Sequence, residues 1–169
     1  MKSQLQAVAR AGFITICLYV RATSSVAGIA DTPLPVLEVG QTTLHLYSVT
    51  GVIDTGGVGT FVSCTSTDTV PVRVGVEVFG SPGGGAANDV VAQSLVISPG
   101  GTLTFGSSAA GISVDSLLAA GPISKGSARI LSTSKKLICT AWAADRLNSP
   151  PIVGWQLTIV KKTKQKASN

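Results

Sequence analysis

Apolar residues recur at every second position along most of this chain, the period of a half-buried β-strand and not of a helix. The clearest run is Val70-Pro71-Val72-Arg73-Val74-Gly75-Val76-Glu77-Val78, in which every even position after the proline is valine. It predicts a strand with one buried face, and Pro71, having no N–H for a ladder, belongs at its start or on an edge. Upstream, Leu44 and Leu46 alternate with Thr43, His45 and Tyr47; Gly56-Gly57 punctuates before the run Thr60 to Thr65. Downstream, a loop around Ser81-Pro82-Gly83-Gly84-Gly85 leads to Ser94–Ile97 and Thr102–Phe105, which read as a hairpin turning at Ser98-Pro99-Gly100-Gly101. Its Pro-Gly step suits a type II turn. Ser127–Ser132 and Lys136–Ala143 read as a second hairpin, turning at Thr133-Ser134-Lys135, and Pro150-Pro151 precedes a last strand, Val153–Val160. Gly106 to Ser124 reads as loop with a short helical turn carrying Val114, Leu117 and Leu118. The expectation is an all-β fold, an antiparallel sandwich of about seven strands.

Parity assigns the faces. Cys64 shares one with Thr60 and Val62, and Cys139 with Leu137, Ala141 and Ala143. In an exported two-sheet protein such cysteines can face each other across the core and form a disulfide. Closing so long a loop is worth about 4.5 kcal/mol in the chain-entropy account; the alternative is two buried free thiols. Val153, Trp155, Leu157 and Ile159 share a face, which makes Trp155 the expected core tryptophan. Phe61, Ile138 and Trp142 fall opposite the cysteines and so point outward. An exposed apolar patch of that kind marks a contact surface, unless a loop or the leading segment covers it.

Composition changes this picture mainly at the ends. Lys2 and Arg10, the apolar stretch Ala11–Val20, and the small residues of Ser25-Val26-Ala27 or Gly28-Ile29-Ala30 have the order of a signal peptide. Arg21, just after the apolar stretch, is unusual there, and the competing account is a buried N-terminal strand. The stretch is shorter than the roughly 20 residues that span a bilayer. Cys17 would leave with the leader; a lipid anchor on it would want a small residue where Ile16 stands. The expected organisation is residues 1–30 as a removed signal peptide, 31–160 as one domain of usual size, and 161–169 as a basic tail. The formal charge of +5 then misleads: the leader takes three basic groups and the tail four more, leaving a slightly acidic body with few ions and many hydroxyls. That excludes a basic nucleic-acid binder and suits a secreted or periplasmic protein with no transmembrane segment in the mature chain.

From Phe61 to Phe105 the order of a cysteine strand, a polar turn at Thr65–Thr69, the valine strand to Phe79, and Ile97-Ser98-Pro99-Gly100-Gly101-Thr102 before Phe105 resembles small immunoglobulin-like domains of exported bacterial proteins. Antibody-type domains carry a tryptophan on the strand after the first cysteine and a tyrosine two residues before the second. Here those places hold Val74 or its neighbours and Leu137, so that subclass does not fit. The resemblance implies a binding or structural module and brings no functional residue with it.

Candidate chemistry is thin. A serine triad needs a histidine, and His45, the only one, alternates with leucines on an expected solvent face. Ser132-Thr133-Ser134-Lys135 matches a Ser-x-x-Lys pattern, but that pair works at a helix start, not in a hairpin turn. The glycine-rich loop lacks the lysine and hydroxyl of a phosphate-binding loop. The carboxylates are scattered, and a calcium site would have to be assembled from loops, for example from Asp54 or Asp68 with Asn88 and Asp89. Two mature cysteines and one histidine are too few for structural zinc. The lysine tail offers non-selective attraction to anionic polymers, without aromatic residues to stack bases. The expected role is therefore a non-catalytic, cofactor-free module that binds a protein or cell-envelope polysaccharide through Phe61, Ile138 and Trp142. The alternatives are a hydrolase using Ser132 and Lys135, or a surface protein that assembles with copies of itself.

Overall fold

Two adjacent glycines make the first reversal. In the computed structural model, which describes residues 28–81, 84–109 and 112–162, Gly56 and Gly57 take positive φ of 60° and 82°. Thr55 and Val58 exchange backbone hydrogen bonds of 3.1 Å across them, the two-residue turn that matches strand twist. It joins β1 (Leu44–Asp54) to β2 (Val58–Ser66), yet beyond the tip the two arms part into different sheets. Thr60 sits in the fork. Its hydroxyl donates to the Ile53 carbonyl and accepts the Ile53 N–H, both at 2.9 Å, so the diverging backbone stays satisfied although Thr60 is buried.

The remaining elements are β3 (Val72–Gly80), α1 (Val90–Gln93), β4 (Leu95–Ile97), β5 (Thr102–Gly106), β6 (Ser116–Leu117), β7 (Ile123–Ser132), β8 (Leu137–Asp145), β9 (Gly154–Gln156) and β10 (Thr158–Lys161). The protein is all-β. One sheet has the order β10-β1-β7-β3-β4 and the other β6-β5-β2-β8-β9; the described pairings are antiparallel except β5 with β6. A single apolar cluster joins them: Val49, Val74, Val76 and Ile130 from the first sheet, Val62, Phe105, Ala141 and Ala143 from the second. The four even valines of β3 all enter it, as their parity predicts. Pro71 stands immediately before β3.

Several expectations about connectivity are corrected. Among the described residues ten strands form where about seven were expected, partly because the last run is two strands: β9 lies in the second sheet, Leu157 dips into the core, and β10 continues in the first. Trp155 therefore sits on an edge strand, 47% exposed, and is not the core tryptophan. Neither expected hairpin pairs its own arms, since β4 and β5, and likewise β7 and β8, belong to opposite sheets. The type II turn itself is present, with Gly101 N–H on the Ser98 carbonyl at 2.9 Å and Gly100 at φ 72°. Turn chemistry dictates a reversal but not the partner of the emerging arm. Residues 112–120 are extended through β6 instead of helical, with Leu118 in the core. β1 runs beyond its leucine alternation, and register shifts at His45/Tyr47, Thr50/Val52 and Val52/Asp54 put its buried apolar residues at Leu46, Val49 and Val52, three apart.

The disulfide is real but differently placed. Cys64 and Cys139 are bonded, with Cα atoms 4.2 Å apart, as directly opposed residues on the neighbouring strands β2 and β8. It clamps one sheet and does not cross the core. Parity correctly put both cysteines on inner faces; it could not say that the two strands share a sheet.

β3 also departs from the expected single buried face. Its odd side is covered by residues 31–43 and α1, where Leu37, Val90 and Leu131 pack together. Gly75 permits this approach, as a Cβ there would meet Val90 Cγ2 at 2.7 Å. Beneath the segment lies a buried ion pair between Glu77 and Arg129, opposite one another on β3 and β7. The Arg129 guanidinium also donates to the Thr32 and Pro33 carbonyls, each at 2.8 Å, and lies 5.3 Å over the Phe79 ring. Where β4 ends, Asn88 takes over the free edge of β3, accepting from Val78 N–H at 2.8 Å and donating to the Val76 carbonyl at 2.9 Å. The expected leader up to Ala27, Pro82-Gly83 of the glycine-rich loop and residues 163–169 of the tail lie outside the described residues. Among the described residues no helix is long and apolar enough to cross a membrane.

Replacing both Cys64 and Cys139 by alanine is expected to lower the unfolding free energy by about 2–5 kcal/mol, seen as an earlier urea midpoint; an unmoved midpoint would show that β2 and β8 hold together without the bridge. Arg129→Met strands the buried Glu77 carboxylate and should cost about 3–5 kcal/mol, part of which Glu77→Leu in the same chain recovers. Equal losses in the single and double variants would locate the cost elsewhere.

Candidate functional site

The outer face of the second sheet is assembled by register. β5, β2 and β8 lie side by side, and opposed residues share a face: Thr102, Thr65 and Ile138 form one row, Thr104, Ser63 and Thr140 the next, and Gly106, Phe61 and Trp142 the third. Gln156 of β9 extends the third row. The hydroxyls are partly linked, Thr65 to Thr102 at 2.8 Å and Thr104 to Ser63 at 3.3 Å. None of these row positions carries a charge. The surface is thus an uncharged array of five hydroxyl side chains with apolar groups along one side.

Phe61, Ile138 and Trp142 all occur on this face, as parity predicts, but they are not equally available. Phe61 and Trp142 stack, ring centroids 6.0 Å apart and planes 19° off parallel. Phe61 is nevertheless fully buried, Trp142 half-buried, and Ile138 62% exposed. The cover over Phe61 is the segment after β5. Ser107 binds Thr60 through its own N–H and through its hydroxyl, both at 2.9 Å, and Asp115 pairs with Thr104 in the same double fashion at 2.7 Å. Between these anchors Val114 comes so close that a Cβ on Gly106 would lie 2.5 Å from it and 2.9 Å from the Phe61 ring. Glycine at 106 is what lets the segment fold over the phenylalanine, so Phe61 stacks beside Trp142 while itself buried.

No family model, curated protein or solved structure matches this chain.

The other candidates are separated by the fold. Ser132 is fully buried on the inner side of β7 and its hydroxyl accepts the Ser134 N–H, while Lys135 is exposed. The Ser134 hydroxyl donates to Asp68 at 2.6 Å and Lys136 Nζ approaches the same carboxylate at 3.2 Å. These bonds, led by Ser134, hold the Asp68 carboxyl down at about 2. Asp54 pairs with Arg146 at 2.5 Å, and burial pushes its carboxyl up against the pull of that arginine. Asp89 caps α1, accepting from Val91 and Ala92 N–H, and Asn88 serves β3. The residues proposed for calcium thus each have another structural partner, and among the described residues no three His, Cys, Asp or Glu side chains group as metal ligands would. His45 is half-buried, bonded to the Tyr47 carbonyl and Ser48 hydroxyl, and burial lowers its pKa.

The hydroxyl rows escaped sequence reasoning. Serine and threonine at positions 63, 65, 102, 104 and 140 were visible as period-two polar positions, but only the strand register makes them neighbours. Phe61→Ala is expected to cost about 3–5 kcal/mol in urea unfolding, since it empties a covered position, whereas Ile138→Ser should change stability by less than about 0.5 kcal/mol. Comparable costs at the two sites would contradict this division into support and surface.

Proposed function

We propose that this is an exported, non-catalytic sandwich module that holds a neutral polysaccharide against the outer face of its second sheet. The carrying observation is the composition of that face: five hydroxyl side chains, the half-buried Trp142, exposed Ile138 and no charge on the rows. Sugars present hydroxyls and apolar C–H patches together, which calls for hydroxyl partners beside an aromatic surface already fixed in place. The stack on Phe61 supplies that fixation, reducing the ordering cost on binding. The Cys64–Cys139 bridge supports an oxidising compartment, hence the secreted or periplasmic placement and the leader. The immunoglobulin-like outline belongs to the same reading. Two antiparallel-rich sheets around one core support it, while a bridge inside one sheet departs from the antibody arrangement. Against a serine hydrolase stand the buried Ser132 hydroxyl and the solvent-exposed Lys135.

The test is retention of the purified domain on insoluble cellulose, chitin and peptidoglycan and on a neutral glycan array. At least one neutral glycan is expected to retain it, with Trp142→Ala and Ile138→Asp each weakening binding about tenfold or more, or about 1.4 kcal/mol, at unchanged fold. Binding that ignores both substitutions, or its absence from every neutral glycan, would overturn the reading.

A further inference from the structure

Two cleavage positions suit the leader equally by sequence, after Ala27 with Ser25 two residues earlier, or after Ala30 with Gly28 two residues earlier. The folded domain treats them differently. Gly28 opens a closed turn: its carbonyl accepts the N–H of Asp31 at 3.3 Å, the N–H of Thr32 at 3.0 Å and the Thr32 hydroxyl at 2.8 Å. Its own N–H donates to the Asp31 carboxylate at 2.8 Å. The next carbonyls along, those of Thr32 and Pro33, are the ones held by the buried Arg129. The turn is therefore fastened to the body of the protein through the guanidinium.

We propose that the exported chain is cut between Ala27 and Gly28, and that the Gly28 amine so released becomes the structural N-terminus, paired with the Asp31 carboxylate. This rests on the export reading above. In the step, a signal peptidase of the exporting host adds water across the Ala27–Gly28 peptide bond: the C–N bond breaks, the hydroxyl goes to the Ala27 carbonyl carbon, and the hydrogen goes to the Gly28 nitrogen. The amine then takes a proton from solvent at neutral pH. An amide donor at 2.8 Å from a carboxylate becomes a charged donor at the same place, which strengthens the bond. Cleavage after Ala30 instead removes Gly28 and with it every hydrogen bond of the turn. It would also leave the new ammonium on Asp31, next to the residue whose carbonyl the Arg129 cation already holds.

Intact mass of the protein recovered from an exporting host reads the outcome directly. A chain beginning at Gly28 is expected. One beginning at Asp31, lighter by Gly28-Ile29-Ala30, overturns the proposal while leaving export standing; a chain that keeps residues 1–27 overturns export and the proposal together. A second measurement addresses the ion pair in the recovered chain. Asp31→Asn should lower Tm by about 2 °C, and acetylating the α-amine should lower the unsubstituted protein by a similar amount but leave Asp31→Asn unmoved. Acetylation that shifts both proteins equally would overturn the pairing.

Discussion

The pairing of β2 with β8 is the constraint on which the rest depends. Cys64 lies opposite Cys139, and that one covalent point sets the register from Val58 on Asp145 to Ser66 on Leu137. Slipping one strand by a residue would invert that strand alone, sending Val62 out and Phe61 in if β2 moved, or Ala141 out and Trp142 in if β8 moved. The core, the aromatic stack and the hydroxyl rows are thus consequences of the same alignment. A bridge within a sheet constrains register more directly than one between sheets, since it joins residues that are already neighbours in the ladder.

The two sheets then differ in what covers them. The first buries both faces along β3 and β7: its valine side meets the core, and its other side there lies under residues 31–43 and α1, with Arg129 and Glu77 enclosed between. A guanidinium taken from water must find partners for its donors, and a carboxylate alone cannot satisfy them all. Carbonyls from an extended segment complete the set, which ties the beginning of the described chain to the middle of the sheet. At one end of the second sheet Val114 closes over Phe61, between Ser107 on Thr60 and Asp115 on Thr104. Farther along that face Thr102, Ile138 and Thr140 are exposed.

Charge distribution follows the same division. The ion pairs of Asp68 with Lys136 and Asp54 with Arg146 stabilise connections between strands, and Asp89 caps α1. Carboxylates that looked isolated along the chain have structural tasks in three dimensions. The row positions of the second sheet's outer face carry no charge, so the proposed binding rests on shape, hydroxyls and apolar contact.

Much of the local structure was legible in the chain. Period-two alternation identified β3 and the inner faces of β2 and β8, the Pro99-Gly100 step its turn, and parity the outward side of Phe61, Ile138 and Trp142. These follow from backbone geometry within a few residues, which a sequence carries in full. The single last strand, the two hairpins, the core role of Trp155 and an accessible Phe61 were not correct. Each depends on which strand lies beside which, and on what folds over a face, and those choices are made by contacts between residues far apart in sequence. The pairing of Cys64 with Cys139 was anticipated while its place inside one sheet was not, and nothing near Glu77 in the valine strand signals its burial with Arg129 of β7, which the distant 31–43 segment brings about. The sequence by itself determined strands, turns and faces because these are set by local geometry; only the tertiary structure decided partners, cover and exposure, because these are set by how the whole chain fills its volume.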